Sequence, residues 1–239
     1  MNKSNIFSVG AILALAACAH EGAPAADNDA GGRDAASALV ARGNEPGWRV
    51  TLGADMTDFV LDYGERRFSA PTPPPTAADQ GAVYRYGDVD ATLTISDTLC
   101  EDDATGTPHP KTARLEEGGR VLNGCAGEPQ SLLVGGEWVV EDIGGGGVID
   151  FARTSLTFEG AGRASGLGAC NHFSGSYELT GEGLSFGPLA ATEKACPPAV
   201  MDQETRFFGA LAATDRFEMD ETGALILIGA DKPLLRARR

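Results

Sequence analysis

Basic residues are scarce in this chain of 239 residues. Lysine and arginine total 19 against 34 aspartates and glutamates, which gives a formal net charge of −15. Because a nucleic-acid backbone demands a basic surface, this balance excludes nucleic acid as a partner, and it argues equally against electrostatic docking on anionic lipid. Aromatic residues are also few, at 7%, whereas glycine is abundant at 32 residues, and this composition favours turns and short strands. A hydrophobic content of 42% still suffices for a packed core.

A hydrophobic run long enough to span a membrane is lacking near the start of the chain. The apolar stretch from Ile6 to Ala16, which follows Lys3, is about half as long as the roughly 20 residues that cross a bilayer. It predicts an export signal over residues 1–17 rather than a permanent transmembrane helix. The segment ends in Leu15-Ala16-Ala17-Cys18, which resembles a bacterial lipobox. That resemblance implies acylation of Cys18, by chains such as palmitate; an ordinary secretory signal with a chance cysteine is the alternative.

Acylation of Cys18 predicts how the protein is held. Several acyl chains on one residue exceed the two-signal threshold for stable anchoring. The next residue is Ala19 and not the aspartate associated with inner-membrane retention, so the resemblance implies an outer-membrane lipoprotein on the periplasmic face. The expected partner is therefore the membrane, through this lipid anchor, with an envelope protein as a second candidate.

The cysteine count agrees with an exported protein. Five cysteines are present, and lipidation of Cys18 leaves an even number, which indicates disulfides. Of the possible pairings we expect the sequence-local one, Cys100 with Cys125 and Cys170 with Cys196, because each pair then falls within one candidate domain. Each loop should contribute about 3.5 kcal/mol through loop-closure entropy. Zinc is the alternative, but no CxxC spacing occurs and only 3 histidines are available.

Three regions follow the signal. Residues 18–42 are rich in Ala, Gly and Asp without hydrophobic periodicity, which predicts a lipidated flexible tether with at most a short helix near Ala35 to Arg42. Residues 43–130 predict a small all-β domain, because apolar and polar residues alternate in short runs between turn signals. These runs are Trp48 to Leu52, Phe59 to Tyr63, Val83 to Tyr86, Ala91 to Ile95, Thr112 to Glu116 and Arg120 to Asn123.

Residues 131–239 predict a second antiparallel domain of short strands with one helix. Pro197 and Pro198 favour a helix start, because a fixed φ suits the first turn. Apolar residues and Glu204 then recur at helical spacing, whereas the residues between them are expected to face water. The first set is Val200, Glu204, Phe207, Phe208 and Leu211, and the second is Asp202, Gln203, Thr205 and Arg206. The fold class is therefore mainly β with one helix, α+β, in two small antiparallel domains.

This second domain resembles the META domain family, which includes HslJ-like proteins. The match rests on Trp138, Gly166 to Tyr177 (GLGACNHFSGSY), Thr192 to Cys196 (TEKAC), Gln203-Glu204, Phe208, Leu211 and Gly223. The resemblance implies a cracked β-barrel packed on a helix and a role in envelope stress or drug tolerance. It implies no settled reaction, so no catalytic residue is carried over.

The first domain is similar to an uncharacterised proteobacterial envelope domain. The similar residues are Gly43, Glu45, Pro46, Trp48, Cys100, Asp102, Gly106, Pro110 and Gly124-Cys125, whereas Ala104 and Thr105 depart from the pattern. The resemblance supports the pairing of Cys100 with Cys125 and implies no activity.

Cys170, Asn171 and His172 are residue types of thiol catalysis, and strand alternation would place Cys170 and His172 on one face. A nucleophilic thiol must stay free, so a disulfide with Cys196 is the better interpretation, with Asn171 bonding backbone at a turn after Gly168. Glu204 is the other candidate. On an apolar helical face its carboxylate must be paired or hydrogen-bonded, and we expect a structural carboxylate rather than a catalytic acid.

The remaining charged segments predict no further chemistry. Glu101 to Asp103 lack the register of a calcium loop and are expected to form a solvated acidic loop. Gly144 to Gly147 lack the lysine of a phosphate loop and predict a turn. Arg236, Arg238 and Arg239 form a basic tail, either a contact point or a solvated end. We expect no metal site and no cofactor.

The sequence therefore favours a non-enzymatic outer-membrane lipoprotein that acts as a binding or protective module in envelope stress. One alternative is an inhibitor of an envelope-attacking enzyme such as lysozyme, because an acidic protein suits a basic target. A second is a lipid or small-molecule carrier, because open barrels hold apolar chains. A hydrolase that uses Glu204 is a third, and it requires an accessible carboxylate in a cleft.

Overall fold

The computed structural model describes residues 38–239, all of which belong to one compact unit. The expected signal segment, Cys18 and most of the expected tether lie outside these residues. Two antiparallel sheets, each curled into a half-barrel, form two small β domains. The fold class expected from the sequence is confirmed.

The N-terminal sheet domain contains nine paired strands in the order β4-β3-β2-β1-β11-β10-β7-β6-β5, with a separate ribbon of β8 and β9. Two 3-10 turns, Asp62–Gly64 and Gly87–Val89, connect strands. The strands are β1 (Leu39–Asn44), β2 (Gly47–Leu52), β3 (Met56–Leu61), β4 (Arg66–Pro71), β5 (Thr76–Ala78), β6 (Gly81–Tyr86), β7 (Ala91–Ser96), β8 (Cys100–Glu101), β9 (Pro108–His109), β10 (Lys111–Glu117) and β11 (Arg120–Ala126).

Strand alternation builds the core of this domain. Along β7, Ala91, Leu93 and Ile95 are buried while the residues between them are partly exposed, as expected when side chains point to opposite faces. Phe59 lies at the centre, stacked on Phe68 at 4.7 Å and edge-on to Tyr86 at 5.1 Å between ring centroids. Pairs of this geometry add about 0.5–1.5 kcal/mol beyond their buried area.

Two boundaries differ from those expected. The strand β1 begins at Leu39, before Gly43, because Ala41 is buried in the sheet and pairs with Ala126. Residues 39–42 are therefore strand rather than tether or helix. The strand β3 ends at Leu61, and Tyr63 instead occupies a 3-10 turn with φ of 57°.

The C-terminal sheet domain contains eight strands in the order β16-β15-β14-β13-β12-β19-β18-β17. A short helix, α1 (Gln130–Leu133), precedes the sheet, and a longer one, α2 (Pro198–Ala212), packs against it. The strands are β12 (Glu137–Ile143), β13 (Thr154–Glu159), β14 (Arg163–Gly168), β15 (His172–Thr180), β16 (Gly183–Ala191), β17 (Arg216–Met219), β18 (Leu225–Gly229) and β19 (Lys232–Arg238).

The helix α2 closes the second core. It begins at Pro198, whose ring fixes φ in the first turn, as the sequence predicts. Phe207 and Leu211 are fully buried against the sheet together with Trp138 and Leu156. Among the described residues, no helix is long and apolar enough to cross a membrane.

Candidate functional site

A buried carboxylate on α2 lies beneath the turn that joins β14 to β15. Glu204 is only 5% exposed. Its Oε2 accepts the backbone N–H of Cys170 at 3.1 Å and that of Asn171 at 2.6 Å, while its Oε1 accepts the Asn171 side-chain amide at 2.8 Å. Both oxygens are engaged by protein donors, so Glu204 is not the accessible acid that the hydrolase hypothesis requires.

Asn171 extends this cluster to the segment before α2. Its Oδ1 accepts hydrogen bonds from the Thr192 hydroxyl at 2.8 Å and from the backbone N–H of Lys194 at 2.7 Å. Its Nδ2 also donates to the Lys194 carbonyl at 3.3 Å. Asn171 thus does bond backbone, as expected, but it bonds the 192–194 segment as well as orienting the Glu204 carboxylate.

Disulfides reinforce both domains. Cys170 pairs with Cys196 across 6.1 Å between Cα atoms, which ties the same turn to the start of α2. Cys100 pairs with Cys125 across 5.5 Å. Both are the pairs expected from the sequence. In the second domain, the disulfide and the Glu204–Asn171 cluster therefore hold one turn from two sides.

Close packing at this turn requires a glycine. A Cβ atom on Gly168 would lie 2.9 Å from Glu204 Oε2 and 2.9 Å from Phe208 Cζ, closer than real Cβ contacts come. Ala169 then adopts φ of 115°, which leaves Cys170 in the turn rather than in β15. The expectation that Cys170 and His172 share a face is wrong, because Cys170 is buried while His172 is exposed at the first position of the strand.

Gln203 is the residue that the sequence interpretation misplaced. It was expected to face water, yet it is fully buried. Its Oε1 accepts the backbone N–H of Ile149 at 2.6 Å, and its Nε2 donates to the Ala152 carbonyl and the Thr154 hydroxyl, both at 2.9 Å. The signal was present, because position 203 follows Val200 by three residues and precedes Phe207 by four, the spacing of one helical face.

The acidic loop is also less solvated than expected. Asp102 is 9% exposed, whereas Glu101 and Asp103 are exposed. Its Oδ1 accepts the backbone N–H groups of Ala104 and Thr105 and the Asn44 side-chain amide, each at 3.0 Å. Burial raises the pKa of Asp102, but these hydrogen bonds outweigh it and hold the pKa below its ordinary value. The carboxylate orders the loop.

The basic tail is a strand with internal partners. Arg236 and Arg238 lie in β19 and both pair with Glu141. The Arg239 guanidinium lies 4.2 Å from the Trp138 ring centroid, and it donates to the carbonyls of Leu132 and Leu133 at 3.0 and 2.7 Å. These side chains therefore pair within the protein, and both expectations, a contact point and a solvated end, are wrong.

A polar cleft lies between the two sheet domains, with a volume of about 570 Å³. The N-terminal domain lines it with Arg42, Asn44, Asp102, Thr105 and Thr107. Across from these lie the linker residues Glu128 to Gln130 and the β15–β16 hairpin from Tyr177 to Gly181. Sequence reasoning missed this site, because no local pattern brings residues this far apart together.

An apolar groove of about 480 Å³ runs between β16 and α2. Phe186, Pro188 and Leu189 form one side, and Phe208 and Ala212 form the other. The strand β16 is at the edge of the sheet, and Pro188 removes one backbone donor there. Within residues 38–239, no group of three or more His, Cys, Asp or Glu side chains is placed to hold a metal ion.

Comparison with protein families finds a match for the C-terminal domain. Residues 131–239 match the META domain model. The matched region contains the whole C-terminal sheet, α2 and the Glu204–Asn171 cluster. The comparison with curated proteins found no match.

Two solved structures are similar to part of the chain. One is an NMR structure of a protein from Burkholderia xenovorans, 29% identical, with a TM-score of 0.37, covering 46% of this chain and 84% of that one. The other is an NMR structure of a protein 24% identical, with a TM-score of 0.38, covering 46% of this chain and 94% of its own.

Proposed function

We propose that this protein is a non-enzymatic lipoprotein of the periplasmic face of the outer membrane, where it acts as a binding and protective module in envelope stress. The observation that carries the binding role is the polar cleft between the two sheet domains, because ligand sites occur preferentially where domains meet. The two disulfides fit an oxidising compartment, and the META domain match fits an envelope-associated module without catalysis.

The non-enzymatic part rests on how the candidate chemical groups are used. Cys170 is bonded to Cys196, so it offers no thiolate. Glu204 accepts three hydrogen bonds from Cys170 and Asn171 and lines neither cavity. These groups stabilise the fold instead of facing a substrate.

The anchor is tested by metabolic labelling with an alkyne analogue of palmitate, followed by separation of inner and outer membranes. We expect label on the full-length protein in the outer-membrane fraction and no label on Cys18→Ser. The double variant Cys100→Ser/Cys125→Ser, which removes a disulfide but keeps Cys18, serves as control and should stay labelled. Label retained by Cys18→Ser would contradict lipidation at this residue.

The binding role is tested by placing a photo-crosslinking amino acid in the cleft of the full-length protein in its native envelope. Thr180 is exposed and lines the cleft, whereas Ser185 is exposed on the same hairpin outside it. We expect a reproducible adduct from position 180 and none from position 185. Equal adducts, or none from either position, would contradict the cleft as the binding site.

The apolar groove favours a second candidate function, a carrier for lipid. Ala212 lines the groove, whereas Ala199 lies outside it, and both are exposed on α2. If the groove holds an acyl chain, Ala212→Glu should abolish binding of a fluorescent fatty acid and Ala199→Glu should leave it intact. Binding that survives Ala212→Glu would remove this candidate.

A further inference from the structure

A turn in the loop before β13 holds a strongly exposed aromatic side chain. Phe151 is 81% exposed, more than any other large hydrophobic side chain among residues 38–239. It occupies the third position of a β-turn from Ile149 to Ala152, in which the Ala152 N–H donates to the Ile149 carbonyl at 2.9 Å. Asp150, at the second position, is exposed as well. These two residues, the Asp150–Phe151 tip, present a carboxylate and a phenyl ring to solvent.

The base of this turn is fixed by Gln203 of α2. The Gln203 Oε1 accepts the N–H of Ile149 at 2.6 Å, and its Nε2 donates to the carbonyl of Ala152 at 2.9 Å, so one buried amide holds both ends of the turn. Ile149 and Ala152 also pack with Val200 and the Cys170–Cys196 disulfide in a small apolar cluster. The tip is therefore in solvent while hydrogen bonds and packing hold its base.

An exposed ring on a fixed turn suits an anchor for a protein partner. A phenylalanine left in water forgoes the favourable free energy of burial, so the stability of the fold does not account for the position of Phe151. Aromatic side chains are enriched in protein interfaces, where a few buried anchors carry most of the binding energy. A turn that is already ordered loses little conformational entropy on binding, which favours affinity.

The charge of the tip indicates the charge of the partner. Asp150 takes part in none of the ion pairs among residues 38–239. A cation beside the pocket that receives the Phe151 ring would supply its partner. The net charge of −15 also speeds encounter with a basic protein. A lipid surface does not fit, because the Asp150 carboxylate would enter it unpaired.

We propose that the Asp150–Phe151 tip docks on a basic, envelope-attacking enzyme of the lysozyme class. The phenyl ring enters an apolar pocket of the enzyme, and Asp150 pairs with a cation at the rim of that pocket. The inference rests on the proposed protective role and names its target. The tip does not line the polar cleft, so the two sites can be tested separately.

The test is calorimetric titration of the full-length protein with egg-white lysozyme, with cytochrome c as a second strongly basic protein. We expect lysozyme to bind, its affinity to fall with added salt, and its hydrolysis of a cell-wall suspension to be inhibited. Cytochrome c should not bind. Equal binding of the two proteins would show that charge alone decides and would overturn the proposal, as would the absence of lysozyme binding.

Variants of exposed residues locate the contact without disturbing the fold. Phe151→Ala should weaken lysozyme binding about thirtyfold, as expected for an interface anchor. Tyr63→Ala, which removes a ring 73% exposed in the other domain, should leave it unchanged. Asp150→Asn should weaken binding and its salt dependence, whereas Asp202→Asn, also at an exposed position, should not. Unchanged affinity in Phe151→Ala would overturn the proposal.

The failure of this inference is distinguishable from the failure of the proposed function. If the cleft position 180 yields a crosslinked species while lysozyme does not bind, the docking inference fails and the binding role of the cleft stands. If position 180 yields none as well, both fail.

Discussion

Glu204 Oε2 lies 2.6 Å from the backbone nitrogen of Asn171, and this contact joins α2 to the turn that precedes β15. The same oxygen accepts the N–H of Cys170, whose side chain is bonded to Cys196 just before that helix. The helix, the turn and the disulfide are therefore all connected to one another. The region that matches the META domain model includes all of these residues. Glu204, which accepts the hydrogen bonds, is only 5% exposed.

Replacing Glu204 with glutamine should destabilise the protein by about 2 kcal/mol, because an amide has only one acceptor oxygen and its NH2 group would face a buried donor that is left unpaired. Urea unfolding of the full chain measures the change. Asp202→Asn, on the same helix and exposed, is the control and should shift stability by about 0.5 kcal/mol or less. An equal unfolding midpoint for Glu204→Gln and the wild type would refute the structural role.

Replacing Gln203 with methionine should also cost about 2 kcal/mol. The two side chains are similar in length, but methionine leaves the N–H of Ile149 and the carbonyl of Ala152 without partners. Thermal unfolding compared with Thr205→Met, an exposed position of α2, separates this loss from any change in helix propensity. A Gln203→Met variant as stable as Thr205→Met would show that these hydrogen bonds contribute little.

Removing the second disulfide should lower the free energy of unfolding by about 3.5 kcal/mol, since the cross-link closes a loop of 26 residues in sequence separation. Denaturant unfolding of Cys170→Ser/Cys196→Ser measures it. The first disulfide has a sequence separation of 25, so Cys100→Ser/Cys125→Ser gives a matched comparison. A loss well above 3.5 kcal/mol in Cys170→Ser/Cys196→Ser, but not in Cys100→Ser/Cys125→Ser, would mean that the second disulfide also positions the Glu204–Asn171 cluster.

The N-terminal domain should lose stability in acid through Glu117. Hydrogen bonds from Arg66 and Arg120 lower the pKa of this buried carboxyl from its ordinary value of 4.5. A group whose pKa is lower in the folded state stabilises it above the unfolded-state pKa, and this stabilisation is lost as the pH falls through the folded-state pKa. The free energy of unfolding should therefore decline below pH 4.5.

Unfolding of Glu117→Gln across this pH range checks the assignment. The variant should be less stable than the wild type at neutral pH and should show a shallower decline in acid. Glu65→Gln, an exposed neighbour in sequence of Arg66, should keep the wild-type slope. The same slope in Glu117→Gln as in the wild type would assign the acid sensitivity to other carboxyls.

Local patterns in the sequence were enough for much of the fold. Alternating apolar residues mark strands such as β7, Gly118-Gly119 marks the turn between β10 and β11, and Pro197-Pro198 marks the start of α2. These features depend on residues within a few positions of one another, so they can be read without the tertiary structure. The disulfide pairs followed from cysteine number and position, and for Cys100–Cys125 the resemblance of the first domain to an uncharacterised envelope domain supported the pairing.

Polar side chains with distant partners were harder to interpret. Gln203 stands between residues of the expected apolar helical face, so the pattern predicts that it faces water, although Ile149, Ala152 and Thr154 hydrogen-bond both its Oε1 and its Nε2. Asp102 is expected in a solvated loop because Glu101 to Asp103 lack the register of a calcium loop, yet it is buried. Whether a polar residue is buried depends on donors and acceptors from other helices, strands and loops. These partners are distant along the chain, so a local sequence pattern does not reveal them.

The amino-acid sequence by itself determined the strand-rich class, the helix that begins at Pro198, the cysteine pairs and the placing of Glu204 on the apolar helical face. Only the tertiary structure decided what Glu204 bonds, that Arg239 lies on Trp138, and that Asp102 and Glu178 line one cleft. The physical reason is that hydrophobic periodicity is a property of neighbouring residues, whereas a cleft is a property of surfaces that come together only when both sheets have folded.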